Sequence, residues 1–160
     1  MGVLYGYYSA GDDRDAVRAV VRAEVHDDGA ALAPDYDQLV IKGVDPVLEL
    51  LPAEVLITGR AAEDVQTDPR RGALVGMAGD GQVVAVSLTD TFRDALAAFD
   101  PRLLDDVAVG WARTSRTPAV SGSSRGELDP HARGRFLKDL AALAGRASSG
   151  GRRLYCWICP

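Results

Sequence analysis

Two stretches of the chain are apolar without interruption: Val3-Leu4-Tyr5-Gly6-Tyr7-Tyr8 and Leu154-Tyr155-Cys156-Trp157-Ile158-Cys159. A strand with one wet face alternates apolar and polar residues. A continuous run of strand formers needs cover on both faces, which only an interior strand has. The two runs lie near opposite ends of a 160-residue sequence. They predict two strands side by side in one sheet, with helices packed over both faces. This length corresponds to one ordinary domain, and such a chain buries roughly 70% of its unfolded surface, enough for a core without staples.

Between the runs the pattern is mostly helical. Val17, Val20, Val21 and Val25 share a face, so a helix is expected over about residues 13–25. Asp12, Asp13 and Asp15 suit its N-terminal dipole, and Gly29 follows its end. Residues 30–36 read as loop, and Leu39-Val40-Ile41 fits either a strand or a helix. The Asp-Pro steps Asp45-Pro46, Asp100-Pro101 and Asp129-Pro130 each place a capping carboxylate before a proline, as at a helix start. After the first step, Val47, Leu48, Leu50 and Leu51 predict a buried helix, interrupted or restarted at Pro52 and stopped at Gly59. Residues 60–72 are polar, with one turn expected near 61–65. Two apolar runs around Gly79-Asp80-Gly81 predict a β-hairpin.

Beyond the hairpin, Thr89 or Asp90 caps a helix with face Phe92, Leu96 and Phe99. The next carries Leu104, Val107, Ala108 and Trp111, and the last Phe136, Leu140, Leu143, Ala144 and Ala147. The expected fold is a single α+β domain over 1–160. It has a small mixed sheet with the N- and C-terminal strands inside it, packed by four or five helices.

Charge narrows the function classes. Lys plus Arg total 18 and Asp plus Glu 23, a net charge of −5. Such a chain has no general attraction to phosphate backbones or anionic membranes, so neither nucleic acid nor membrane is an expected partner. Two cysteines are too few for a secreted disulfide scaffold. No apolar run nears the roughly 18 residues of a membrane span. Residues 1–10 lack the basic start of a signal peptide, and a cytoplasmic location is expected. Residues 113–126 reverse the charge: Arg113, Arg116 and Arg125 stand there with no acid. This segment reads as a surface loop or as a lid for an anion or partner.

The motifs do not complete a catalytic set. Cys156-Trp157-Ile158-Cys159 has the spacing of a redox dithiol. In a strand, however, positions i and i+3 face opposite ways about 10 Å apart, and a disulfide needs Cα atoms within about 7 Å. The pair therefore reads as structural, with thiol redox chemistry as the competing hypothesis. His26-Asp27-Asp28 and His131 read as exposed helix-end residues. Residues 121–126 are rich in Gly and Ser but lack the Gly-Lys-Ser/Thr ending of a P-loop. No Gly-x-Ser-x-Gly elbow occurs. No cofactor or metal is expected. The leading expectation is a non-enzymatic module that binds another protein or regulates it, an immunity-type role being one form. The alternative is a small enzyme or ligand-binding protein whose pocket joins Lys42 and Asp45 to Arg113, Arg116 and Arg125.

Several short motifs carry a resemblance. The opening Met1-Gly2-Val3-Leu4 with its aromatic strand, Lys42-x-x-Asp45, Leu56-Ile57-Thr58-Gly59, Leu74-Val75-Gly76 and Leu88-Thr89 resemble the YfbM-like proteins, small bacterial α+β domains without an established activity. The order of elements is similar over essentially the whole chain. The ending Leu154-Tyr155-Cys156-Trp157-Ile158-Cys159 looks like that of an actinobacterial branch. Members carry an aromatic before the aspartate and a histidine three residues after it, where this chain has Val44 and Leu48. The resemblance implies a fold and no particular chemistry.

Overall fold

The structure, a computed structural model, describes residues 2–26, 29–114 and 129–160. Strand β1 (Leu4–Ala10) leads into helix α1 (Asp13–Val21), a short ladder of β2 (Glu24–His26) and β3 (Gly29–Ala31), and then β4 (Gln38–Lys42). Helices α2 (Leu51–Thr58) and α3 (Ala62–Gln66) precede a hairpin of β5 (Leu74–Ala78) and β6 (Val83–Ser87). Helix α4 (Asp90–Ala98) is followed by a 3-10 turn (Pro101–Leu103) that runs into α5 (Leu104–Thr114). Helix α6 (Pro130–Ser149) and β7 (Arg153–Cys159) complete the described elements.

The main sheet has the order β4-β1-β7-β6-β5. The two continuous apolar runs are indeed neighbours inside it: β1 and β7 pair over seven residues, from Leu4 opposite Cys159 to Ala10 opposite Arg153. The α+β class is as expected, but the sheet is antiparallel throughout rather than mixed. The segment from α4 to α6 leaves and returns at the same end of the sheet. Arg153, at the start of β7, reaches Asp90, at the start of α4, across 3.5 Å, so β7 runs back against β6. Six α-helices stand among the described residues instead of four or five, one of them the five-residue α3.

Both faces of the sheet are covered. On one, Tyr7, Val86, Leu154 and Cys156 pack against α2, α4, α5 and α6 through Leu50, Phe92, Trp111, Phe136 and Leu140. On the other, Tyr8, Ala85, Tyr155, Trp157 and Cys159 pack against Ala16, Ala19 and Val20 of α1. Alternate residues of β7 thus enter different cores, which is why its run is continuous. Cys156 and Cys159 fall on opposite faces, as strand parity requires.

Local signals hold with a few shifts. Thr89 accepts from the Phe92 N–H at 3.1 Å, and Asp129 from the Ala132 N–H at 2.6 Å, capping α4 and α6. The hairpin tip uses positive φ at Gly79, Asp80 and Gly81. The first Asp-Pro step opens a turn rather than a helix. Asp45 Oδ1 accepts from the Val47 and Leu48 N–H groups at 2.7 and 2.8 Å, and α2 begins only at Leu51, with Pro52 in its first turn. Leu48 consequently points into solvent instead of the core. Helix α1 stops at Val21, because the following residues pair as a strand with Gly29–Ala31. That pairing also replaces the start of the expected 30–36 loop.

Candidate functional site

Of the residues singled out from the sequence, Lys42 and Asp45 lie toward different faces of the sheet. Lys42 ends β4 in register with Leu4, which is itself opposite Cys159, so its position belongs to the α1 face. Asp45 lies past the end of the strand and serves the other face. Its carboxylate caps the turn over residues 46–48 and stands close to Tyr5. Burial and then this carboxylate raise the Tyr5 hydroxyl above its ordinary pKa. Arg113 is exposed in the last turn of α5. Arg116, Arg125 and the 121–126 segment lie outside the described residues, as do Asp27 and Asp28. His131 is exposed in the first turn of α6, as expected.

The thiols sit in packed surroundings. Cys156 is fully buried, its S–H directed to the Trp157 carbonyl, and burial pushes its pKa well up. A thiol so placed is neither ionised nor reachable, the opposite of a redox-active cysteine. Among the described residues, no three His, Cys, Asp or Glu side chains gather as a metal site. No helix among them is long and apolar enough to cross a membrane.

Polar side chains do gather at the end of the sheet where β1 finishes and β7 starts. Arg70 Nη1 donates to both carboxylate oxygens of Asp13 at 3.0 Å, and the Tyr155 hydroxyl donates to Asp13 at 2.8 Å. Asp15 accepts from the Gly11 N–H at 2.9 Å and the Tyr36 hydroxyl at 2.7 Å, with Arg152 at 3.6 Å. Asp90 pairs with Arg93 and Arg153. The Arg70 hydrogen bond chiefly lowers the Asp13 pKa, and the Gly11 N–H chiefly lowers that of Asp15. Carboxylates held ionised and already paired are poor proton donors. The network fastens α1, the 68–72 turn and β7 together. Sequence reasoning read Asp13 and Asp15 only as helix-dipole partners, since nothing local links position 13 to positions 70 and 155.

A different surface stands out at the β5 edge. Leu48, Leu74, Val21 and Met77 are the most exposed large apolar side chains described, at 76, 61, 59 and 57%. Leu74 and Met77 lie on β5, Val21 on the helix packed over it, and Leu48 in the turn whose Val47 packs just before it. Leu74 and Met77 are on the strand, opposite Val86 and Val84, and so on the face that carries α2, α4, α5 and α6. Val17 covers Gly76 on the other face, and Val21 follows one turn later on the same flank of α1. Leu48 adjoins Val47, which packs onto Gly72 just before β5. Among the described residues the strand closes the sheet, with no further strand beyond it. A row of apolar residues, Ile41, Tyr5, Ile158, Val84 and Met77, runs across all five strands in register and ends at this edge.

The chain matches no protein-family model, no curated protein and no solved structure.

Proposed function

We propose that the protein is a non-catalytic binding module whose partner is another protein chain, engaged at the β5 edge. The observation that carries this reading is the clustering there of the four most exposed large apolar side chains, Leu48, Leu74, Val21 and Met77. Single exposed apolar residues are ordinary on a soluble protein. Four around one terminal strand form the kind of patch that marks a protein interface. A terminal strand adds unpaired backbone N–H and C=O groups as a template for a partner. The acidic net charge and the incomplete catalytic motifs favour binding over turnover. Membership of the YfbM-like proteins belongs to the same proposal and rests on the motifs quoted above.

The test is capture with the immobilised protein from cells that make it, repeated with Met77→Lys and with Leu103→Lys, an exposed residue away from β5. The expected result is one stoichiometric protein, lost with Met77→Lys and kept with Leu103→Lys. A tightly held metabolite with no protein, or capture indifferent to Met77→Lys, overturns it.

A further inference from the structure

We infer that the occupant of the β5 edge is a second copy of this chain, joined β5 to β5 in antiparallel register about a two-fold axis normal to the sheet. The inference rests on the protein-binding reading above and names its partner. Three observations carry it.

The first is charge. Residues 73–79, Ala-Leu-Val-Gly-Met-Ala-Gly, contain no ionisable side chain in a sequence that is 26% charged. An isologous pair sets a segment against itself, so any charge near its middle would meet its own kind. This segment has none to repel, and none with which to select a charged partner.

The second is the arrangement of the apolar side chains. Leu74 and Met77 lie toward opposite ends of β5 on the same face. Antiparallel pairing about that axis continues each face of one copy into the same face of the other. Leu74 of one copy is then set toward Met77 of the other, twice. On the opposite face the two Val21 side chains flank the same junction, and the row ending at Met77 continues into the second sheet.

The third is the contrast with the other edge. Strand β4 ends in Lys42 and begins beside Asp37, which pairs with Arg146 at 2.6 Å. Charges of this kind blunt a sheet edge against pairing. Only β5 lacks them.

The experiment is sedimentation equilibrium of the purified protein from low to high micromolar concentration. The expected result is reversible formation of a species of twice the 17.0 kDa chain mass. Leu74→Lys and Met77→Lys are each expected to weaken it at least tenfold, while Leu103→Lys leaves it unchanged. Far-ultraviolet circular dichroism and the melting temperature of each variant check that the fold is kept. A wild-type protein that stays monomeric throughout, or a dimer that both β5 variants retain, overturns the inference. A monomer that still captures a different protein through Met77 leaves the binding reading standing and removes only the second copy as occupant.

Discussion

The indole of Trp157 fills the space over Gly6 on the neighbouring strand, where any side chain would collide with it. The glycine is thus the reason a tryptophan fits at the centre of a packed sheet. Gly6→Ala is expected to destabilise the protein by at least the roughly 1–3 kcal/mol of ordinary overpacking. Trp157→Ala costs stability through its cavity, and the double variant is expected to be less destabilised than the two single losses added together. Urea unfolding of the four proteins measures the coupling, and simple additivity would contradict the contact.

Glu54 and Arg71 form an ion pair at 2.8 Å with both side chains nearly out of solvent, and Arg71 also donates to the Val47 carbonyl at 2.7 Å. Arg71→Ala orphans a buried carboxylate and is expected to cost about 3–5 kcal/mol. Burial, opposed by Arg71, raises the Glu54 pKa. A raised carboxylate pKa means stability that is complete below the unfolded value, about 4.3, and is lost as pH rises through the folded one. Removing Arg71 raises it further. The penalty for Arg71→Ala is therefore expected to be larger at pH 7 than at pH 5, as denaturant unfolding at both values would show.

Asp13 behaves with the opposite sign. Its pKa is lowered, chiefly by Arg70, so its contribution is present above the unfolded value near 3.9 and lost as pH falls through the folded one. The side chain is about half exposed, so Asp13→Asn is expected to cost less than about 1 kcal/mol near neutrality. The difference from wild type should shrink between pH 5 and pH 3. A difference independent of pH would assign the effect to something other than the Arg70 pair.

A thiol reagent is expected to leave Cys156 unmodified in the native protein and to titrate both cysteines in denaturant, given the burial of the two side chains. Rapid native labelling of Cys156 would contradict the placement of β7 between two cores.

Deleting residues 153–160 removes the strand that pairs with both β1 and β6. The shortened protein is expected to be insoluble or to lose the cooperative thermal transition of the full chain. A soluble, cooperatively melting product would mean that β7 is not integral to the sheet.

Elements set by their own residues were legible in the sequence. The Gly79-Asp80-Gly81 turn, the Thr89 cap, the Leu104–Trp111 stripe and the doubly covered terminal strands all follow from local chemistry. The Asp45-Pro46 step shows where that stops. Its carboxylate caps as expected, but one turn closes instead of a helix, and the helix begins at Leu51, just before Pro52. Lys42 and Asp45 looked like neighbours at a spacing of three, yet strand parity gives Lys42 to the α1 face while Asp45 serves the opposite one. The β5 edge was hidden for a related reason. Leu74 and Met77 read as ordinary hairpin residues, and only the strand order reveals that no strand among the described residues lies beside them. Asp13, Arg70 and Tyr155 are brought together by tertiary packing that no local pattern encodes.

The sheet is two separate ladders, β4 with β1 and β5 with β6, bridged by β7 alone. Because β7 follows the other strands described, both halves of the bridge wait for residues 153–159 to be synthesised. A chain that has made β6 but not β7 lacks the strand that fills the slot between β1, seven residues long, and β6, five. The strand that fills the slot of one molecule fits that of another equally well. Exchange of β7 between molecules is therefore the expected failure when folding is crowded, and it would show as dimers that persist on dilution.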